Sequence, residues 1–254
     1  MTALPRIMVA PNGARLQESD HPNLPLTLDE IAQTAAACQA EGAGGLHLHL
    51  RDADGRHLLD TAAYRAARDL LADRCPGLMV QITTEAAGRY DPETQRRVAL
   101  NSGARHVSVA LREICREPGA APGFFSQCAE RGIKVQHILY DMADARRLAD
   151  TLPPDLLRAP GLQLLFVLGR YGGPSGARPV DLDPYLAWMA DAGLAPDWAI
   201  CAFGQAETDC LLYAAEQGGK CRVGFENSRL NRDGTTARDN AERVRELRRL
   251  LPAG

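Results

Sequence analysis

Two histidines stand two places apart in the run GLHLHLRD, at His47 and His49. On a β-strand such residues share a face, with Cα atoms about 6.5 Å apart. Two imidazoles so placed converge on one divalent ion, about 2 Å from each nitrogen. Otherwise each needs a hydrogen-bond partner, because an unpaired buried polar group is costly. The third ligand candidate is Glu226 in CRVGFEN, where strand alternation puts Arg222, Gly224 and Glu226 on one face. Arg222 and the metal together would satisfy that carboxylate. Two histidines and one glutamate leave a coordination position open, the pattern of a catalytic centre. Zinc is the default ion, with manganese, iron and nickel as alternatives. An open metal polarises a carbonyl or activates water.

Other polar groups cluster at the ends of apolar runs. PNGAR places Gly13 in a tight turn and Arg15 beyond it. Arg15 and Arg51 have the fork geometry to clamp carboxylates, or to form ordinary salt bridges. QITTEAAGRY offers Thr83, Thr84 and Glu85, and RHVSVAL puts His106 and Ser108 on one face. His106 is either a base or a hydrogen-bonded structural residue, and His137 is similarly ambiguous. His21 and His57 fall in loops with no assigned role. The glycine-rich stretch FVLGRYGGPSGAR, 166–178, has the backbone N–H density of an anion nest.

These groups need a scaffold that brings strand ends together. Strands are expected at 6–10, 45–51, 78–84, 105–111, 133–140, 162–168, 197–203 and 221–226. Amphipathic helical patterns fill 27–41, 61–74, 91–102, 122–131, 142–151, 182–192, 206–217 and 235–251. TLDE at 27–30 is a capping box, and Asp91-Pro92 is a cap followed by a proline at the first helical position. Gly42, Gly103, Gly132 and Gly193 follow helical runs, where a left-handed cap residue belongs. Eight strand–helix pairs predict a (β/α)8 TIM barrel over 1–254 as a single domain. A doubly wound open sheet is the alternative, but no GxGxxG turn follows the first strand. In a closed barrel the eighth, first and second strands adjoin, so Glu226 can reach an ion held by His47 and His49.

Composition narrows the function classes. The 254 residues carry a net charge of −3, with 45% hydrophobic and 24% charged residues, ordinary for a globular chain. No basic stripe with interleaved aromatics points to nucleic acid, and RVRELRRLL reads as the wet face of a helix. No run of 18 apolar residues predicts a membrane span, and no signal-peptide pattern is read at the N-terminus. Seven cysteines without a CxxC pair suggest reduced thiols and a cytoplasmic protein.

Together, PNGAR, HPNLPLTLDEIA, GLHLHLRDADG, VQITTEAAG, LLFVLGRYGGPSG, DWAICAFG and CRVGFEN resemble the β-keto acid cleavage enzymes, of 3-keto-5-aminohexanoate cleavage type. The resemblance implies a TIM barrel, zinc on His47, His49 and Glu226, and a homo-oligomer, expected as a tetramer. It implies a reaction in which a β-keto acid and acetyl-CoA give acetoacetate and a new acyl-CoA by retro-Claisen cleavage. Arg222 would orient the catalytic acid and Thr83 would hold substrate. Three departures stand out. Arg15 replaces a glutamate that holds a substrate amino group, so an anionic or neutral substrate is expected. Asn227 replaces an aspartate and cannot take a proton at neutral pH, leaving Glu85 or His106 to act as base. TTEA replaces an STGG-like turn, and His106 stands at a threonine position. The competing expectations are a CoA-independent metal hydrolase or lyase, and a non-enzymatic metal-binding barrel.

Overall fold

The computed structural model describes residues 3–170 and 176–252. Eight parallel strands close into a barrel: β1 (Ile7–Val9), β2 (Gly45–Leu48), β3 (Met79–Thr83), β4 (His106–Ala110), β5 (Lys134–Leu139), β6 (Gln163–Leu168), β7 (Asp197–Ala202) and β8 (Lys220–Val223). β8 closes on β1 in register, Met8 opposite Arg222. Each strand is followed by a main helix: α1 (Leu28–Ala40), α2 (Thr61–Arg74), α3 (Pro92–Asn101), α4 (Ala121–Glu130), α5 (Met142–Thr151), α6 (Asp183–Asp191), α7 (Glu207–Glu216) and α8 (Asn240–Leu250), with one-turn helices at Leu111–Ile114 and Pro154–Leu157 and a 3-10 turn at Pro179–Leu182 in the connections. The expected (β/α)8 architecture is therefore the observed one.

Local chemistry sets the helix ends. Thr27 caps α1 in a full capping box with Glu30, and Asp91 caps α3 ahead of Pro92. Gly42, Gly103, Gly132 and Gly193 all take positive φ after a helix. The main core lies between barrel and helices, built from outward strand residues such as Leu46, Leu48, Ile82 and Val107. Inside the barrel, Leu165, Val167, Ala199 and Cys201 form a smaller apolar cluster. All seven cysteines are free. No described helix is long and apolar enough to cross a membrane.

Two strands are shorter than the alternation pattern suggests. β2 stops at Leu48, and Leu50–Arg51 pairs instead with His57–Leu58 in a small antiparallel ribbon. β8 stops at Val223, where Gly224 takes φ +143°. A Cβ there would lie 2.4 Å from the Ala10 carbonyl oxygen, so the chain can turn only with glycine. Of the glycine-rich stretch 166–178, residues 171–175 lie outside the described residues.

Candidate metal centre and barrel mouth

His47 projects inward from β2, in register with Gln81 of β3. Its Nδ1 lies 2.9 Å from Gln81 Oε1. The Gln81 amide is itself oriented, because its Nε2 donates to Gln136 Oε1 at 3.0 Å and Gln136 donates to the Leu164 carbonyl. Gln81 Oε1 therefore accepts the His47 Nδ1 proton, which leaves Nε2 with a free lone pair. His49 follows at the end of β2, and its Nε2 lies 3.1 Å from His47 Nε2. The His49 ring packs against His57 at 5.1 Å between centroids. His57 in turn bonds the Glu85 carbonyl, tying the ribbon to the loop after β3.

Glu226 arrives from the turn beyond Gly224. That turn is pinned on several sides: Gly224 N–H donates to Glu207 at the start of α7, Phe225 N–H to Asn240 at the start of α8, and Glu226 N–H to the Ala10 carbonyl. Below it, fully buried Arg243 donates to Glu207 and Thr208, each at 2.9 Å. Gly13, at φ +59°, leaves room for the glutamate, since a Cβ would lie 2.7 Å from Glu226 Cγ. Glu226 Oε2 stands 3.5 Å from His49 Nε2 and 3.8 Å from His47 Nε2.

The three ligand atoms lie within 4.8 Å of one another. A tetrahedral ion with bonds near 2.0 Å has ligand–ligand edges of about 3.3 Å, close to the three separations found. The protonation states agree with such a site. Burial, and for His47 next the Arg222 charge, hold both imidazoles well below the ordinary histidine range, hence neutral. Glu226 Oε2 is buried without a hydrogen-bond partner, and its Oε1 accepts from Arg222 at 3.2 Å. The His47 Nε2 lone pair and the unpaired Glu226 oxygen face His49 Nε2, and with the His49 proton on Nδ1 the three fit a divalent cation.

The remaining mouth residues divide by what their polar atoms touch. Arg222 is buried; it bonds Glu226 and Cys201 Sγ, while its Nε and Nη1 have no partner. Both side-chain polar atoms of buried Asn227 are unpaired, as is Ser108 Oγ. Thr83 Oγ1 accepts from the Glu85 N–H, so its own proton is free to be donated. Thr84 instead donates to the Ser108 carbonyl, stitching β3 to β4. Glu85 is half-buried, with exposed Arg15 3.7 Å away. Burial, then the Glu226 and Glu113 charges, push its carboxyl up to about 7 against the pull of Arg15 and Arg222.

Arg51, expected to bind substrate, and His106, expected as a possible base, stand in different surroundings. Arg51 donates to the carbonyls of Asn12, Gly13, Leu16 and Gly55, because the ribbon turns it onto the loop after β1. It braces that loop, and its charge also reaches Glu226, whose carboxyl it pulls down against burial. His106 opens β4 in register with Lys134, the first residue of β5. That is the N-terminal face of the barrel, opposite the mouth, where burial, Lys134 and Arg105 lower its pKa.

Sequence reasoning passed over Gln81, which orients His47; its polar side chain, in phase with Thr83 between Val80 and Ile82, was the available signal. It also passed over Tyr140, just past the end of β5, whose ring carries the Arg112 guanidinium at 4.6 Å. Burial, then the Glu85 and Glu113 charges, raise the Tyr140 phenol well above the ordinary range, so it stays a neutral donor. The Arg243–Glu207 buttress left no local pattern, because its members sit on different helices.

The sequence model of the beta-keto acid cleavage enzyme family matches residues 6–253. The chain belongs to this family. Among its relatives, the 3-keto-5-aminohexanoate cleavage enzyme of Acetoanaerobium sticklandii is 25% identical over 251 residues, covering 94% of this chain and 88% of that one. The 3,5-dioxohexanoate:acetyl-CoA acetone transferase of Paraburkholderia graminis is 26% identical over 283 residues, covering 96% and 89%. Among solved structures, the ternary complex of ObcA with C4-CoA adduct and oxalate superposes with a TM-score of 0.66 at 15% identity. It is matched over 90% of this chain and 63% of that chain, a likeness of fold.

Proposed function

We propose that this protein is a zinc-dependent β-keto acid cleavage enzyme that exchanges acyl groups with acetyl-CoA. The overall reaction is RCOCH2COO− plus acetyl-CoA giving acetoacetate plus RCO-CoA. The bond between the keto carbon and C2 breaks, a new C–C bond joins C2 to the acetyl carbon, and the CoA thiolate passes from acetyl to the RCO group. The observation that carries this reading is the convergence of His47 Nε2, His49 Nε2 and Glu226 Oε2 beside the unpaired Arg222 donors, in a chain of this family. The relatives named as acting with acetyl-CoA on 3,5-dioxohexanoate and 3-oxoadipate, the latter from Cupriavidus necator, support the same class of chemistry.

His47, His49 and Glu226 would hold the ion. When bound, it supplies Lewis acidity at the keto-acid oxygens, where enolate charge develops. Arg222 offers its Nε and Nη1 to a carboxylate or oxyanion at that point. Glu85 is the proposed proton acceptor at C2: its carboxyl near 7 suits a general base at neutral pH, and Asn227 has no lone pair basic enough. Asn227 serves as a hydrogen-bonding group for the substrate, together with Thr83 and Ser108. Arg15 faces the same entrance with its charge exposed, which favours a substrate whose distal end is anionic or neutral over one bearing an ammonium group. We further infer a cytoplasmic, single-domain protein that works as a homo-oligomer, expected as a tetramer.

Metal analysis of purified protein, with a panel of β-keto acids incubated with acetyl-CoA, tests this. One bound zinc per chain and matched formation of acetoacetate and acyl-CoA support it. Turnover of a keto acid without CoA would replace it with a metal-dependent lyase. Native mass measurement tests the assembly.

A further inference from the structure

A second cavity lies at the far end of the barrel from the mouth. It opens at the N-terminal face, between α4, the end of α5 and the first residues of β5 and β6. Its volume is about 180 Å³, and Phe125, Cys128, Val135, Leu152 and Leu162 line it. An enclosed engineered cavity of about 150 Å³ lined by apolar side chains takes up benzene, and this one, open on one side, has similar room.

The exceptions to this apolar lining are Lys134 and, deeper in, His137. Its neighbour Gln136 bonds Gln81 inside the barrel, so alternation turns His137 outward into the helix layer. The imidazole is 5% exposed and meets the Phe125 ring edge-on at 4.8 Å between centroids. Its Nδ1 is shielded and has no partner, and neither ring nitrogen makes a hydrogen bond. Buried polar groups in native proteins are nearly always paired; Nε2 is the ring nitrogen that is not shielded, and it is the one open to a guest.

The surroundings define that guest. Burial pushes the His137 pKa down to about 3, so the ring is neutral and offers one donor and one acceptor. Lys134 is the one charged residue of the lining, and it lies two positions from Gln136, on the inward phase. A cationic guest would meet no carboxylate in this lining, and an anionic one only Lys134, whose phase is inward, so a neutral guest is favoured. A hydroxyl both donates and accepts, and so suits either imidazole tautomer.

We propose that this cavity binds a neutral, ring-sized molecule carrying one hydroxyl, with its apolar body against Phe125, Leu152 and Leu162 and its hydroxyl on His137. The site is separate from the metal centre and does not depend on the proposed reaction.

Titration calorimetry of the full chain with phenol and with benzene tests the assignment. Phenol is expected to bind at least tenfold more tightly than benzene. His137→Leu should abolish that preference and leave benzene affinity unchanged. Ala129→Trp, at the exposed rim, should block both. Failure of the wild-type protein to bind either probe, or a phenol preference that survives His137→Leu, overturns the proposal. Should His137→Leu not fold, a crystal soaked in phenol decides instead. An oxygen within about 3 Å of a His137 nitrogen supports the site, and phenol bound elsewhere or not at all refutes it.

Discussion

Gly13→Ala isolates the placement of Glu226 from its identity. The new Cβ would lie 2.7 Å from Glu226 Cγ. Carbon atoms in contact rest at about 3.5–4.0 Å, so one partner must move by about 1 Å. Metal–ligand distances tolerate roughly 0.2 Å, so the required shift is about five times too large for the carboxylate to stay in place. The backbone cost must be separated out, because φ is +59° and a side chain there costs about 1–2 kcal/mol. Gly193 supplies the control: its φ is +60° and a Cβ would meet nothing within 4 Å. Both variants should lose stability by a similar amount, a drop in Tm of about 2–4 °C for each kcal/mol in a chain of this size. Only Gly13→Ala should also lose metal affinity, by about 10–100-fold, the range seen when the support of a ligand is disturbed. Chelator competition measures the affinity and calorimetry the stability. Wild-type affinity in Gly13→Ala, with stability matching Gly193→Ala, would refute the placement of Glu226 as a ligand.

His49→Ala should abolish metal retention while circular dichroism stays that of a folded barrel; stoichiometric metal in the variant would contradict the assignment. Gln81→Leu leaves the His47 Nδ1 proton unpaired and should weaken metal binding about 10–100-fold, read by the same competition assay. Glu85 binds its proton more tightly folded than unfolded, since its carboxyl rises from the ordinary 4.5 to about 7. Its contribution to stability is full below pH 4.5 and declines as pH rises through 7, so Glu85→Gln should stabilise the metal-free protein more at pH 8 than at pH 4.5, and denaturant titrations showing an equal shift at both would count against the assigned shift. The same variant should lower kcat about 10²–10⁴-fold if Glu85 is the base, which single-turnover rates with a competent keto acid would test. Arg243→Ala strands the buried Glu207 carboxylate and should cost about 3–5 kcal/mol; a loss under 1 kcal/mol in denaturant unfolding would show that the buttress under Gly224 is unimportant.

What the sequence revealed, and what it hid, follows from one geometric distinction. Alternation along a strand tells which side chains point inward, and it placed His47, Ser108 and Arg222 on the interior side. It does not tell how high an inward residue stands in the barrel. His106 has the same phase as Ser108, yet it begins β4 beside Lys134, while Ser108 stands two residues nearer the mouth. Height depends on where each strand starts and on the register of closure, and both are set by pairing between distant segments. The same limit explains Arg51. Its phase matches His47 and His49, but β2 has ended before it, and pairing with His57 redirects it. Glu226 was expected beside His47 and His49 by alternation and comes to them by a turn. The agreement rests on Gly224, whose place inside an apparent strand was itself the signal of a break. Chemistry at a barrel mouth needs height as well as phase. The His-x-His pair was legible because it spans the mouth end of a single strand, and the surroundings of Glu226, Glu85 and the Arg243 buttress were less so because each depends on contacts across the closed sheet.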